Sequence, residues 1–466
     1  MTNGNTQVSV TDELRRRVEL ARPGERLPSV RELMARHRAS PATVGRAIAA
    51  LAAEGLVEPR PGQGTFVAAA ATDGGPAAPD VSWQAVALGV RSVDESPLQE
   101  LMAVRGPGAL LLSGGYLEPE LQPLAALGAA LARAARRPGA WDRGAVEGRD
   151  ELRAWFAREA RGRLRAHDVV VCPGGQAALA TAFRALAAPG DAILLESPTY
   201  LGAIAAARAA GLRVVAVPTD DSGLRPDLLR AALARTGARV AYAQPLYANP
   251  TGATLARERR GAVLEALAGA GAFLVEDDWA RDFAIDGDAP APLAAEDEHG
   301  HVVYLRSLTK SAAPGLRVAG IGARGAAGAR LRGARIVDDF FVAGPLQEAA
   351  LELVSSPSWR RHLRRLRAGL RERRDALLAA LAAHAPDLVP AAPPAGGLHL
   401  WVRLPDGDDD AAVVAAAARR DVVLFPGRAW FPADAPAPHL RLTFGAASPD
   451  ALREGVRRLA GALADG

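Results

Sequence analysis

Cysteine, lysine and asparagine are nearly missing from this sequence, and so are long apolar runs. Each shortage excludes something. A single cysteine, Cys172, cannot form an intramolecular disulfide, and nothing in the chain resembles a cysteine zinc site, so no metal is expected. No window approaches the ~18 consecutive strongly apolar residues that a membrane span needs. The opening MTNGNTQVSVTDELRRR lacks the charged start, apolar core and cleavage site of a signal peptide. The expectation is a cytoplasmic protein without membrane contact.

The lysine shortage is the sharpest. Of 56 basic residues, 55 are arginine and one is lysine, Lys310. In an Ala- and Gly-rich chain this suggests a GC-rich coding genome that replaces lysine wherever a positive charge suffices. A position that keeps lysine under that pressure points to an amine that must deprotonate, which a guanidinium essentially cannot do. The bland alternative is chance survival of one exposed lysine. Asparagine occurs only at Asn3, Asn5 and Asn249.

What is present is a globular composition, 49% hydrophobic and 23% charged over 466 residues. That rules out a wholly disordered chain and, at ~100–200 residues per domain, suggests two or three domains. Net charge is +4, and residues 1–67 hold ten Arg against seven Asp or Glu. The basic excess thus sits at the N-terminus, where a nucleic-acid contact would use it. An ordinary solvated surface fits that excess almost as well.

Residues 10–67 form a compact unit. VTDELRRRVEL reads as an amphipathic helix, PGERLPS as a turn-rich connection and VRELMARHR as a second helix. Ser40 suits an N-cap, Pro41 the first helical position, and a third helix runs from there to Gly55. LVEPRPGQGTFVA follows as two short strands around a Pro/Gly turn. Three helices and a β-wing describe a winged helix-turn-helix.

The segment resembles the DNA-binding domain of GntR-family regulators through PGERLPSVREL, the spacing to SPATVGRAIAALAAEGLVE, and GQGTFV. The resemblance implies a double-stranded DNA operator, with the third helix in the major groove and the second helix and wing on the backbone. The matching positions are Ser29, Arg31, Ser40, Thr43, Arg46 and Gly64. Family members often carry Arg where this chain has Pro41 and Gly45, which removes base reading there. Arg46 either compensates on phosphate or pairs with a helix neighbour.

Residues 1–68 are therefore read as one domain and 69–95, rich in Ala, Gly and Pro at its start, as a flexible or semi-extended linker. From residue 96 to 466, strand-like runs (DVVVCP, AILLES, RVVAVP, VAYAQP, AFLVEDD, HVVYLRS) alternate with Ala-rich helical segments. That alternation predicts an α/β domain with a mainly parallel sheet.

Chemistry-bearing motifs fall at the ends of those strands, where open α/β sheets bind ligands. Pro173-Gly174-Gly175-Gln176 precedes a helix, and glycines at a helix start offer N–H groups to a phosphate, though a strand-to-helix turn wants glycine anyway. Tyr200 is either a ring that stacks on a flat ligand or a core tyrosine. Asn249, in ANPTG, can donate to a phenolic oxygen, or the motif is a plain turn. Asp277, in EDDW, can pair with a protonated ring nitrogen. Ser307, Thr309, Lys310 and Arg317 put hydroxyls, the sole amine and a guanidinium within eleven residues. Arg441 in HLRLTFG suits a carboxylate, although a lone arginine among 55 means little.

Together these groups suit a flat pyridine with a phosphate, a phenolic oxygen and an aldehyde, namely pyridoxal 5′-phosphate. The order PGGQAAL, ESPTY, NPTG, EDDW, SLTKSAAPGLRVAG, GGLHLWV, LRLTF also resembles fold type I aminotransferases. That resemblance implies the fold type I transferase architecture, a large domain with a mainly parallel sheet and a smaller C-terminal α+β subdomain. By it, Lys310 forms the Schiff base, Asp277 pairs with the pyridine nitrogen, Asn249 bonds the phenolic oxygen and Tyr200 stacks on the ring. Gly174, Gly175, Gln176, Ser307, Thr309 and Arg317 form the phosphate cup, and Arg441 binds the α-carboxylate of an amino acid. Two departures stand out: Trp279 and Trp141 replace tyrosines that in relatives bond the phenolic oxygen and reach the neighbouring subunit's phosphate. Trp279 can still donate one N–H.

A winged helix-turn-helix joined to an aminotransferase-like domain resembles the MocR-type subfamily of GntR regulators. This implies a transcription factor that binds pyridoxal phosphate, senses an amino compound or amino acid, and forms a head-to-tail homodimer on paired half-sites. The competing expectation is a working aminotransferase with a DNA-binding appendage, since Lys310, Asp277 and Arg441 also suffice for that chemistry.

Overall fold

The structure is a computed structural model that describes residues 3–21, 24–60, 64–68, 80–88, 96–103, 106 and 108–464. The chain divides into two compact units, Met1–Ser92 and Val93–Gly466. The turn of the expected wing at 61–63 lies outside the described residues, as do 69–79 and 89–95 of the expected linker.

In the first unit, α1 (Asn3–Leu20), α2 (Val30–His37) and α3 (Pro41–Ala53) precede an antiparallel pair, β1 (Val57–Arg60) and β2 (Gly64–Val67). Ser29 and Glu32 form a reciprocal capping box at the start of α2: the Ser29 hydroxyl accepts from Glu32 N, and Glu32 accepts from Ser29 N at 2.7 Å. Ser40 caps α3 with Pro41 at its first position, as the sequence predicts. Val10, Leu14, Leu33, Val44, Ala47 and Leu51 close the core against Val57 and Val67. α1 begins at Asn3, ahead of the helix expected from Val10. Within the expected linker, α4 (Trp83–Leu88) forms one short turn of helix that buries nothing.

The second unit begins with α5 (Ser96–Met102). Its strands are β3 (Leu110–Leu111), β4 (Val169–Cys172), β5 (Ala192–Ser197), β6 (Arg213–Asp220), β7 (Gly223–Leu224), β8 (Val240–Ala243), β9 (Phe273–Asp277), β10 (Val302–Ser307), β11 (Ala319–Gly322), β12 (His399–Arg403), β13 (Val422–Val423) and β14 (His439–Thr443). Eight of them form one sheet in the order β4-β11-β10-β9-β8-β5-β6-β7. The sheet is parallel from β10 through β6, while β11 runs antiparallel to both its neighbours and β7 to β6. The central strands read as unbroken apolar runs because helices cover both faces. The strand period of two divides each run between them. Ile193 and Leu195 pack with the helices Gly175–Leu186 and Leu201–Ala209, while Leu194 packs with Pro226–Thr236 and Arg257–Ala270.

A smaller layer at the C-terminus pairs β12 with β14 and covers them with the helices Pro357–His384 and Pro449–Ala464. Among the described residues, no helix is long and apolar enough to cross a membrane, and no cluster of His, Cys, Asp or Glu would hold a metal ion.

One carboxylate ties α1 to α2. Glu13 accepts from Arg17 on its own helix at 2.9 Å and from Arg36 and His37 on α2. Burial opposes its charge, yet these bonds hold its pKa down at about 2. A carboxyl depressed on folding contributes stability that is present above the unfolded value of ~4.5 and is lost as pH falls toward 2. Acid titration of the folded first unit, followed by helical circular dichroism, should show that loss. Glu13→Gln should remove it and lower stability at pH 7 by on the order of 2–3 kcal/mol.

Candidate functional site

The strands β4, β5, β8, β9 and β10 deliver residues from their C-terminal ends to one side of the sheet. Gly175, Gln176, Tyr200, Asn249, Asp277, Trp279, Ser307, Thr309, Lys310, Arg317 and Arg441 all line a single cavity of about 360 Å³. Gly174 caps the helix that Gly175 begins. The sequence motifs therefore meet in space.

Asp277 ends β9 and is buried. Its Oδ2 accepts from the Tyr242 hydroxyl at 2.8 Å and from Gln244 Nε2 at 2.9 Å. Burial pushes its pKa up to about 6, against the downward pull of those two donors. Gln244 also fixes the following loop, because its Oε1 accepts from Asn249 N at 2.9 Å.

Lys310 follows β10. Its Nζ donates to Gly115 O at 2.7 Å and lies 3.8 Å from the centroid of the Tyr116 ring. Burial, with Arg441 and Arg317 nearby, lowers its pKa to about 7, while Asp277 pulls the other way. The amine is thus poised to exchange its proton near neutral pH.

Arg441 on β14 is fully buried, and among the described residues no carboxylate pairs with it. Its Nη1 donates to Asn249 Oδ1 at 3.0 Å, its Nη2 to Ser113 O at 2.7 Å, and its guanidinium faces the Trp430 ring at 4.7 Å. Burial opposes its charge. An unpaired guanidinium in a cavity is a receptor for an acid group.

The remaining residues form a cradle. Gly174 has φ +96°, and a Cβ there would come within 2.5 Å of the Arg317 guanidinium. The Arg317 Nη2 donates to Pro173 O at 2.9 Å. Ser307 Oγ accepts from Thr309 N at 3.2 Å, and Thr309 Oγ1 is buried without a partner. Gln176 is held between Gly202 O (2.9 Å) and the Tyr200 hydroxyl (3.1 Å). Trp279 stacks on His399 at 5.8 Å, and its Nε1 is buried without a partner. Trp141 is 76% exposed, with its Nε1 donating to Ala135 O at 3.1 Å.

Not singled out from the sequence are Tyr242, Gln244, Ser113, Gly115, Tyr116 and His399. His399 carries the clearest signal in hindsight, as an imidazole in the otherwise apolar run GGLHLWV. Burial, together with Arg441 and Lys310, keeps it neutral.

In the first unit, Arg31 and Arg46 are exposed on α2 and α3, and Ser29 and Ser40 are exposed at the helix starts. Thr43 is 1% exposed, its hydroxyl 2.8 Å from that of Ser40. Gly64 has φ +123°, and a Cβ there would meet Arg26 Nε at 2.9 Å, so the strand start requires glycine.

Comparison with known proteins agrees with this division. Residues 124–459 match the aminotransferase class I and II family, and residues 6–67 match the bacterial regulatory proteins of the gntR family, which implies DNA binding. An uncharacterized HTH-type transcriptional regulator of Bacillus subtilis, YisV, is 28% identical over 94% of this chain and 91% of its own length. The 2-aminoadipate transaminase of Thermus thermophilus is 33% identical over 82% of this chain and 98% of its own. A crystal structure of the α-aminoadipate aminotransferase LysN of Thermus thermophilus, complexed with N-(5′-phosphopyridoxyl)-L-leucine, superposes with a TM-score of 0.76 at 32% identity. It covers 83% of this chain and 99% of that one. The chain belongs to the class I and II aminotransferase family and carries that domain behind a gntR-family helix-turn-helix, which is the MocR-type architecture.

Proposed function

We propose that the protein is a transcriptional regulator whose first unit binds a DNA operator and whose second unit binds pyridoxal 5′-phosphate and senses an amino compound. The observation that carries this is the single cavity where Lys310, Asp277 and Arg441 converge, in a chain that opens with a gntR-family domain. Residues 1–68 serve as the DNA-binding domain, 69–95 as the linker and 96–466 as the effector domain. A head-to-tail homodimer, soluble in the cytoplasm, would read paired half-sites.

The residues fit the cofactor. The Gly174 cradle under Arg317, the partnerless Thr309 hydroxyl, Ser307, Gln176 and the helix start at Gly175 suit its phosphate. Asp277 suits the ring nitrogen, Tyr200 the ring face, and Asn249 with the partnerless Trp279 Nε1 the phenolic oxygen. Bound there, the cofactor would supply an electron sink for the carbon beside an amine.

The chain's own residues do the rest. With a pKa of about 7, Lys310 keeps part of its amine unprotonated near neutral pH, so Nζ would be available as a nucleophile and as a group that accepts or returns a proton. Asp277 offers the free Oδ1 of a carboxyl whose Oδ2 is already fixed. Arg441 orients the ligand's acid group, and its bond to Asn249 Oδ1 links the two side chains. These groups also suffice for turnover, and the Thermus relatives carry transaminase names. Sensing is preferred because YisV, a regulator, matches through both units.

Three outcomes are expected. Borohydride treatment of the cofactor-loaded protein should abolish its visible absorption and label Lys310 in a peptide map. Lys310→Ala should take no label, and Asp277→Ala should weaken cofactor retention by about tenfold or more. Operator affinity should fall with salt by ~0.9 logarithmic units per phosphate neutralised, and Arg31→Ala should flatten that slope by about one phosphate. At least one amino compound should change operator affinity by about 5–150-fold in wild type and not in Lys310→Ala. If none does, while several are converted over many turnovers with a keto acid, the protein is an aminotransferase first.

A further inference from the structure

We infer that Gln244 is the positioning residue that decides which oxygen of Asp277 can carry a proton, and that it thereby keeps the ring nitrogen of the bound cofactor charged. This rests on the proposal above and assigns that site a further residue.

β8 and β9 run side by side, with Tyr242 opposite Val275 and Ala243 opposite Glu276. Carried on by one residue, that register sets Gln244 against Asp277. Gln244 is 3% exposed. Its backbone N–H donates to Glu196 at 2.8 Å, which anchors the residue whatever its side chain. Its Oε1 accepts from Asn249 N at 2.9 Å, and its Nε2 donates to Asp277 Oδ2 at 2.9 Å.

The orientation of that amide follows from elementary chemistry. A backbone N–H can only donate, so the side-chain oxygen must face Asn249 and the NH2 group must face Asp277. Asp277 Oδ2 therefore meets a group that can only donate, and it has to accept. The Tyr242 hydroxyl donates to the same oxygen at 2.8 Å. A proton on Oδ2 would point at the amide hydrogens, so any proton on this carboxyl is confined to Oδ1. Both donors also favour negative charge on the carboxylate. When a ring nitrogen shares a proton with Oδ1, that bias leaves the proton on nitrogen, the form that draws electrons most strongly. The other titratable groups that act on Asp277 or feel its charge are, among the described residues, Glu196 on β5, Tyr200, Asp278 and Lys310.

The test measures the affinity of the full-length protein for pyridoxal 5′-phosphate by absorption, each variant taken as a ratio to its parent at the same pH. Gln244→Glu keeps an acceptor for Asn249 N at every pH. It can donate to Asp277 only while protonated, and a carboxyl beside a carboxylate gives up its proton late. It should bind within about threefold of wild type at about pH 6 and at least about tenfold more weakly at about pH 8.5. In an Asp277→Asn background, the difference between those two pH values should shrink to less than about threefold. Gln244→Met should bind about tenfold more weakly at both. A Gln244→Glu ratio that does not change with pH, or that changes equally in the Asp277→Asn background, makes Gln244 a mere support for the Asn249 loop and overturns the inference. So does Gln244→Met binding as well as wild type, and if that variant does not fold, the Gln244→Glu comparison decides alone. If wild type itself takes up no cofactor at Lys310, the binding proposal fails instead.

Discussion

A carboxyl group held out of water is the constraint on which the second unit turns. Asp277 stands at the end of a central strand, where burial raises its pKa, and two donors, Tyr242 on β8 and Gln244 just beyond it, occupy one of its oxygens. The same Gln244 that donates to Asp277 accepts from Asn249 N, donates its backbone N–H to Glu196 at 2.8 Å, and so fixes the loop beyond β8. Asn249 in turn accepts from Arg441. One connected set of hydrogen bonds thus runs from the carboxyl at the floor of the cavity to the guanidinium on the small C-terminal layer. Loosening any member would shift the geometry of the others, which is why a buried polar network must be satisfied as a whole.

The acidic run Glu276-Asp277-Asp278 shows how the fold isolates one carboxyl for chemistry. Successive residues of a strand point to opposite faces, so Asp277 alone enters the cavity. Glu276 accepts from the backbone N–H groups of Leu293 and Ala294 at 2.7 and 2.8 Å, and burial followed by the charge of Asp278 pushes it up to about 7. Asp278 bonds the Tyr304 hydroxyl at 2.6 Å and pairs with Arg281, while Arg306 pairs with Asp282 at 2.9 Å and Glu159 at 3.2 Å. Such a buried ion network carries a large desolvation penalty and adds little net stability. Its service is to keep neighbouring charge engaged on the far face of the sheet.

What the sequence disclosed and what it hid divide along a physical line. Residues that act through their own local setting were legible: Lys310 by its rarity, Ser40 and Pro41 by helix-start chemistry, Gly174 and Gly175 by their place between strand and helix. The alternation of apolar runs gave the sheet, and the run lengths gave its buried centre. Residues that act through neighbours remote in the chain were not legible. Tyr242 and Gln244 reach Asp277 only because β8 lies beside β9, and Gly115 and Tyr116 meet Lys310 across 195 residues of chain. Thr43 looked like a groove-facing side chain on a recognition helix, yet its place in the first turn beside Ser40 turns it inward. Strand order and helix rotation decide such contacts, and neither is written in spacing alone.

The lone lysine acquires a second meaning in this setting. Elsewhere the chain builds positive charge from guanidinium, buried and paired with carboxylates at Arg306, Arg373 and Arg374. Burial, with two further guanidinium groups, Arg441 and Arg317, near the Lys310 amine, holds its pKa near 7. The nearby group that does change charge there is Asp277, near 6. As pH rises through that value Asp277 becomes anionic and raises the proton affinity of Lys310, so the two groups titrate as a coupled pair. A second lysine in place of Arg441 or Arg317 would add a further titrating group and blur that pairing. Arginine on the walls and lysine only at the centre is therefore the arrangement that leaves one amine responsive.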